Sequence, residues 1–441
     1  MRRWLLKALR VLVPLALLAI LAVAAFSTRA AGRIESLLGL GKPSIKVGLL
    51  HSQTGAMAVS EKSLIDSEVM ALEEINAGGG LLGRRVEWVI ADGKSEPSTF
   101  AAQARRLIDE DGVVAIFGCW TAESRKAARA VVEEREGLLF FPGTFEGIEA
   151  SDRIIYVGGS SNQSAVPSIR WCVDARKARR FFVVGTEELW SRCTAEILKD
   201  SVKAAGAEVV GEASLPLLGA KVGPAIEAIK AARPDFVLNA IIGDRNEDFY
   251  AALRPAELTP DNCPVMAFGF GEDELRRFKP ADVAGHYAAM NYFQSVDRPE
   301  NRAFVRKFKA RHGEDRATGD PIVAAYNGIK LWAQAVDEAG VIDPKVVIHH
   351  LDRQSVDAPE GIVTIDADLR IAWRPFYLGR ARADGQFDVV WSLTKPVRPV
   401  LFVATRPRAK WLEFFAEAQA RRGLGRKPGD VAPPAEVAAP R

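Results

Sequence analysis

From residue 44 to about residue 288, short apolar runs alternate with stretches of helical spacing, and this alternation restricts the fold more than any other feature of the chain. Ile45-Lys46-Val47-Gly48-Leu49-Leu50 reads as a parallel strand covered on both faces, because such strands are nearly continuous in apolar residues. Over 63–76, Leu64, Ile65, Val69, Leu72 and Ile75 recur at helical spacing, and Asn76-Ala77-Gly78-Gly79-Gly80 ends that helix with residues that accept positive φ. Strands at 85–92, 113–117 and 138–141 and helices at 98–109 and 121–136 continue the series. A second series follows, with strands at 154–157, 180–184, 207–215 and 236–240 and helices at 163–175, 191–205 and 224–232. Alternation of this kind predicts a parallel sheet with helices on both faces, here twice in tandem.

The section from 290 to 352 brings long helices at 299–312 and 321–340, and strands at 361–365, 373–382 and 387–393 come after it. A chain that returns after two α/β series predicts two lobes joined by a multi-strand hinge, with a cleft between them. The expected division is 1–31 as signal peptide or membrane anchor, 32–43 as tether and 44–158 as the first part of lobe 1. Lobe 2 then begins at 159–288, lobe 1 returns at 289–352, and 353–394 completes lobe 2 and the hinge. Residues 395–441 form a tail, with an amphipathic helix at 411–422 and a disordered end rich in Pro, Ala and charge.

Arg2, Arg3, Lys7 and Arg10 precede an apolar run from Val11 to Phe26, the pattern of an export segment. The 16-residue run is slightly short for a spanning helix, and no cysteine follows it to carry a lipid. Either way the basic end stays inside, and everything after residue 31 crosses the membrane. The formal charge of +3, from 59 basic and 56 acidic residues, gives no reason to expect a nucleic-acid partner. Cys119, Cys172, Cys193 and Cys263 are scattered. Their even number permits a disulfide in an exported chain, and four buried thiols are the preferred reading.

Catalytic signatures are missing. Asp92-Gly93-Lys94-Ser95 resembles the end of a phosphate-binding loop, but Trp88 stands where its first glycine is required. No G-x-S-x-G or H-E-x-x-H occurs, and Gly269-Phe270-Gly271 lacks a third glycine and reads as a turn. His349 and His350 are adjacent on a helix, so they point about 100° apart and do not share a metal. Five histidines leave few general acids or bases. We expect a binding protein, with no enzyme activity, cofactor or metal.

Seven stretches carry a resemblance: IKVGLLHSQTG at 45–55, ALEEINAGGGLLG at 71–83, FGCWTAESRKA at 117–127, LLFFPGTFEG at 138–147, AGHYAAMNYFQSVD at 284–297, DAPEGIVT at 357–364 and ADGQFDVVW at 383–391. Residues 45–394 resemble the urea- and short-amide-binding proteins of ABC transporters, within the type I periplasmic-binding-protein family that includes the leucine/isoleucine/valine-binding proteins. The resemblance implies two doubly wound lobes closing on a small ligand. The implied partners are that ligand, an ABC permease and, indirectly, its ATPase, with the membrane reached through the N-terminal segment. A membrane-tethered sensor without a transport role is the alternative that the tether and tail suggest.

Ligands in such folds sit beyond the carboxyl ends of parallel strands. Three strand-end loops, and one residue past strand 236–240, therefore hold the candidate ligand-binding residues: Trp120, Thr121 and Ala122; Phe141, Gly143, Thr144 and Phe145; Glu188 and Trp190; and Asp244. Without the resemblance, Trp120 and Trp190 read as core aromatics and Glu188 as a solvated acid at a helix start. The chain also departs from the urea and amide pattern. Ala122 stands for a serine, Phe141 for a tyrosine, Glu188-Leu189-Trp190-Ser191-Arg192 for Tyr-x-Tyr-Pro-Arg, and Met290 for a tryptophan. The hydroxyls that would hold urea or an amide are lost and a carboxylate is gained. Buried polar groups left unpaired cost about 1–3 kcal/mol each. The expected ligand is therefore a small nitrogen-containing solute, urea- or amide-like or amino-acid- or amine-like, and Glu188 favours a cationic or strongly donating nitrogen.

Overall fold

The structure is a computed structural model that describes residues 43–216, 222–275 and 279–420. The expected export segment, all but the last residue of the tether, and residues 421–441 lie outside the described residues. Among the described residues, no helix is long and apolar enough to cross a membrane.

The first lobe runs β1 (Ile45–His51), α1 (Ala58–Ala77), β2 (Val86–Asp92), α2 (Pro97–Asp109), β3 (Ile116–Gly118), α3 (Ala122–Glu134), β4 (Leu139–Phe141) and β5 (Ile154–Tyr156). Its five strands are all parallel, in the order β2-β1-β3-β4-β5. Only Lys46 of β1 is exposed, as expected for an inner strand with helices on both faces. The chain then crosses over and builds α4 (Ser161–Asp174), β6 (Arg180–Thr186), α5 (Leu189–Ala204), β7 (Glu208–Leu215), α6 (Gly223–Ala232), β8 (Phe236–Ala240), α7 (Arg245–Leu253), β9 (Val265–Ala267), α8 (Glu272–Leu275), α9 (Pro280–Val283) and β10 (Tyr287–Met290).

A second crossing leads to α10 (Pro299–His312), α11 (Asp320–Ala339), α12 (Pro344–His350), β11 (Ser355–Ala358), β12 (Gly361–Ile365) and β13 (Ala372–Trp373). A third crossing at Arg374–Pro375–Phe376 returns to β14 (Tyr377–Ala381) and β15 (Phe387–Ser392), which pair antiparallel on the edge of the second sheet. That sheet has seven strands in the order β15-β14-β10-β9-β8-β6-β7. The short strands β9 and β10 were not visible as separate elements in the sequence pattern.

The division expected at residue 353 needs correction. Ala358, Val363, Ile365 and Ala372 pack with Ile45, Phe117 and Trp332 of α11 in the core of the first lobe. Strands β11–β13 therefore belong to lobe 1, and the last crossing comes at Arg374. The tail does contain a helix, α13 (Arg408–Ala420), whose Trp411, Phe415 and Ala418 are buried in the core of the second lobe while Leu412 faces out. All four cysteines are buried and free.

The crossings converge on one close approach. A Cβ on Gly159 would lie 1.8 Å from Asn291 Oδ1, so any larger residue there has to displace the Asn291 amide, where the first crossing passes the second. Asn291 Nδ2 in turn donates to the carbonyl of Pro375 at 2.7 Å, which ties in the third.

Candidate ligand cleft

The strand-end loops meet where the two sheets face each other. Six of the ten residues singled out from the sequence line one cavity of about 40 Å³: Trp120, Thr121, Ala122 and Thr144 from lobe 1, and Glu188 and Trp190 from lobe 2. Ile242 and Gly269 complete the wall. Both lie just past the carboxyl ends of β8 and β9, so the strand-end rule could have found them once those strands were placed. Grooves of about 460, 520 and 640 Å³ open elsewhere and take in none of these eight residues, although the second borders Thr186 and Glu187 at the end of β6.

Two helix starts frame the cavity. Thr121 caps α3: its Oγ1 accepts the Ser124 N–H at 3.1 Å, and Ser124 Oγ accepts the Thr121 N–H at 3.1 Å. Glu188 caps α5, with Oε2 accepting the Trp190 N–H at 2.8 Å and Oε1 the Ser191 N–H at 2.5 Å. Glu188 is thus an acid at a helix start, but it is only 2 % exposed rather than solvated. The lobes touch here, because the Leu189 N–H points at Glu123 Oε1 of α3 across 3.5 Å. Trp190 Nε1 is buried and has no hydrogen-bond acceptor among the described residues. A buried indole N–H can donate to an acceptor and cannot accept.

The other four candidates do not line the cavity. Phe141 and Phe145 are fully buried in the lobe 1 core, where the Arg125 guanidinium lies 4.8 and 5.1 Å from their ring centroids. They turn away from the cavity into that apolar core, with the buried cation against their ring faces. Gly143 stands behind the first loop, where a Cβ would come within 2.7 Å of the Trp120 carbonyl and the Phe141 ring. Asp244 is an exposed residue at the start of α7, two positions beyond Ile242.

Beneath the first loop lies a buried ionic cluster. His51 ends β1, with Nε2 3.0 Å from both Glu68 oxygens and Nδ1 3.5 Å from Glu61 Oε2. Burial alone would lower the imidazole pKa, but the Glu68 charge and hydrogen bonds to both glutamates raise it to about 9. A histidine bound more tightly to its proton when folded contributes stability that is complete below its unfolded value near 6.5. That contribution fades as pH rises to about 9 and is worth roughly 3 kcal/mol at most. Burial also pushes the Glu272 carboxyl up to about 8, with the same sign between about 4.5 and 8. Chemical denaturation should therefore show stability falling from pH 6 to pH 9, with His51→Gln removing the part above pH 8. An unchanged slope in that variant would show that His51 is neutral in the folded protein.

The model of the periplasmic binding protein domain matches residues 45–408. The chain belongs to the periplasmic binding protein family. That family consists of binding proteins and not enzymes. A leucine-, isoleucine-, valine-, threonine- and alanine-binding protein of Pseudomonas aeruginosa is 24% identical over 328 residues, 73% of this chain and 86% of the relative. A Pseudomonas fluorescens Pf-5 structure described as an amino acid ABC transporter substrate-binding protein superposes with a TM-score of 0.74 at 19% identity, covering 83% of this chain and 99% of that one. A Rhodopseudomonas palustris BisB5 solute binding protein in complex with 3,4-dihydroxybenzoic acid gives a TM-score of 0.73 at 20% identity, covering 81% and 98%. A Geobacillus stearothermophilus protein named limonene hydroxylase is 37% identical over 115 residues, but the match spans only 21% of its length.

Proposed function

We propose that the binding protein captures a small solute of amino-acid or amine type in the cleft and delivers it to an ABC permease. The observation that carries this reading is the meeting of Glu188 with two indoles opposite the start of α3 in one cavity. A carboxylate flanked by Trp120 and Trp190 suits a cationic nitrogen through charge-assisted hydrogen bonding and the negative ring faces. The helix start across the cavity suits an acidic or carbonyl oxygen. The small cavity volume limits the ligand, since sites for drug-sized molecules run to several hundred Å³. The relatives named for amino acids and for ABC transporters support delivery rather than sensing.

Calorimetry with alanine, ethylamine, guanidine, urea, acetamide and 4-hydroxybenzoate tests this. Cationic or zwitterionic probes should bind wild type best, and Glu188→Gln should weaken them by about 1.5–3 kcal/mol relative to the neutral ones. The relative measure matters because glutamine still offers one oxygen to cap α5, so the lost cap bond affects every probe equally. Tightest binding of urea or benzoate, with a ratio unmoved by Glu188→Gln, would overturn the reading.

A further inference from the structure

The tail crosses the molecule instead of leaving it. Its first part lies on the hinge, where the Val397 N–H donates to the Arg374 carbonyl at 2.8 Å and Gln163 Nε2 donates to the Val397 carbonyl at 2.7 Å. Asn162 holds the next residues in both directions, with Nδ2 on the Arg398 carbonyl at 3.2 Å and Oδ1 accepting the Val400 N–H at 3.0 Å. The chain then touches lobe 1. The Phe402 N–H donates to the Gly147 carbonyl at 2.8 Å, Leu401 packs on the lobe 1 core, and Arg398 reaches Asp366 at 3.5 Å.

From Val403 onward it is anchored to lobe 2. Arg406 pairs with Asp200 at 2.7 Å and Glu196 at 3.0 Å on α5, and Trp411, buried in the core, donates from Nε1 to the Val403 carbonyl at 2.8 Å. Helix α13 then reaches back across the gap. Lys126 Nζ of α3, in lobe 1, lies 4.0 Å from the Phe415 ring centroid. Lys126 is one helical turn from Ala122 on the cavity wall, so this contact lies beside the cleft.

We infer that residues 395–420 act as a strap that holds the two lobes together and biases the protein toward the closed form before any ligand arrives. Hinge opening moves α3 and α5 apart. It therefore has to separate Lys126 from Phe415 and strain the Phe402–Gly147 bond, neither of which belongs to the ligand site. A protein that is mostly closed loses less affinity to its own opening, because apparent affinity scales with the fraction in the binding-competent state.

The test needs no ligand. Two variants of the full chain are compared with wild type by small-angle scattering and by the distance between spin labels on the exposed positions Glu136 and Lys230. Lys126→Met removes the cation from a half-exposed site and keeps the aliphatic stem, while Phe415→Leu keeps most of the apolar volume in the lobe 2 core. Each should raise the open fraction by about fivefold, seen under native conditions as a longer inter-label distance and a larger radius of gyration. The unfolding midpoint falls as well, because Lys126 also pairs with Glu149 at 3.3 Å and Phe415 lies in the lobe 2 core, so the distances are compared well below it. Hydrogen exchange on wild type provides the check if Phe415→Leu folds poorly: amides of 402–418 should exchange together with those of the α5 start, as one opening unit. Inter-label distances identical to wild type in Lys126→Met, or strap amides that exchange independently of the cleft, would overturn the inference.

Discussion

Replacing Arg125 with Met should destabilise the protein by about 3–5 kcal/mol, the usual cost of breaking a buried ion pair by removing one partner. Arg125 sits in the first turn of α3 with no exposed surface. Its Nη2 lies 2.7 Å from Glu146 Oε1 and its Nε 2.8 Å from Glu149 Oε1. Tyr156 donates its hydroxyl to the same Glu149 oxygen at 3.0 Å, and Lys126 and Arg129 approach the other at 3.3 and 3.6 Å. Burial alone would raise the Glu149 carboxyl, but Arg125 and then Lys126 offset it and hold it below the usual carboxylate range. Methionine in this position fills the volume beneath Phe141 and Phe145 but leaves two carboxylates facing each other without their shared cation. The loss should read out as a lower urea midpoint at pH 7. Because an unpaired buried acid takes up a proton, the deficit should shrink as pH falls. The combined Arg125→Met, Glu146→Gln and Glu149→Gln variant removes all three charges and should recover most of the loss, since apolar or neutral replacement of a whole buried cluster is often near neutral. A single variant as stable as wild type would mean that water enters the cluster.

That cluster draws on the same two stretches as the cavity. The GCW-x-x-x-SRKA stretch contains Arg125, and the neighbouring PGTFEG stretch contains Glu146. Both follow strand ends, which is why the sequence points to them as ligand loops. In the structure each has two parts: Trp120, Thr121, Ala122 and Thr144 face the cavity, while Arg125, Glu146, Phe141 and Phe145 form the ionic and aromatic base beneath them. Sequence spacing places a loop at a strand end but does not say which of its side chains turn inward. The charge that lies against the buried Phe141 ring comes 16 positions earlier, on a different element. Glu188 shows the opposite case, since its place at a strand end and a helix start was legible, and the capping bonds follow from that place. The two-lobed plan was legible because apolar runs and helical spacing are local signals. Strands β9 and β10 are no shorter than β3, β4 and β5, but Ala267, Ala288 and Ala289 leave them little of the β-branched and aromatic character that marks a strand. The assignment of β11–β13 to lobe 1 depends on contacts with α11 that no local pattern records.

The second large effect belongs to the hinge. Arg374→Met should likewise cost about 3–5 kcal/mol of stability, and it should also change how the lobes move. Arg374 has no exposed surface and lies at the third crossing, between β13 and β14. One guanidinium nitrogen pairs with Asp320 at the start of α11, and the other lies 2.7 Å from Glu360 Oε1. Burial would lower its pKa, but the Asp320 and Glu360 charges raise it, so the cation persists at every accessible pH. The same Asp320 accepts the Asn291 N–H at 2.6 Å on the second crossing, and Asn327 Nδ2 donates to Glu360 at 2.9 Å. One cation therefore organises two crossings and the helix that packs against the first sheet. Removing it leaves Glu360, whose carboxyl burial already raises, without its main counter-charge, and a proton should then take the place of the guanidinium. Two measurements separate the stability effect from the hinge effect. The urea midpoint of Arg374→Met should fall at pH 8 and partly recover at pH 5, where Glu360, whose carboxyl burial raises, takes up a proton more readily. Hydrogen exchange at Asn291 and Val397, whose amides bond to Asp320 and to the Arg374 carbonyl, should accelerate more than exchange in the β1–β3 core. Equal acceleration in the core and at these two amides would show that the variant only lowers global stability, and that the cluster supports the fold without setting the hinge.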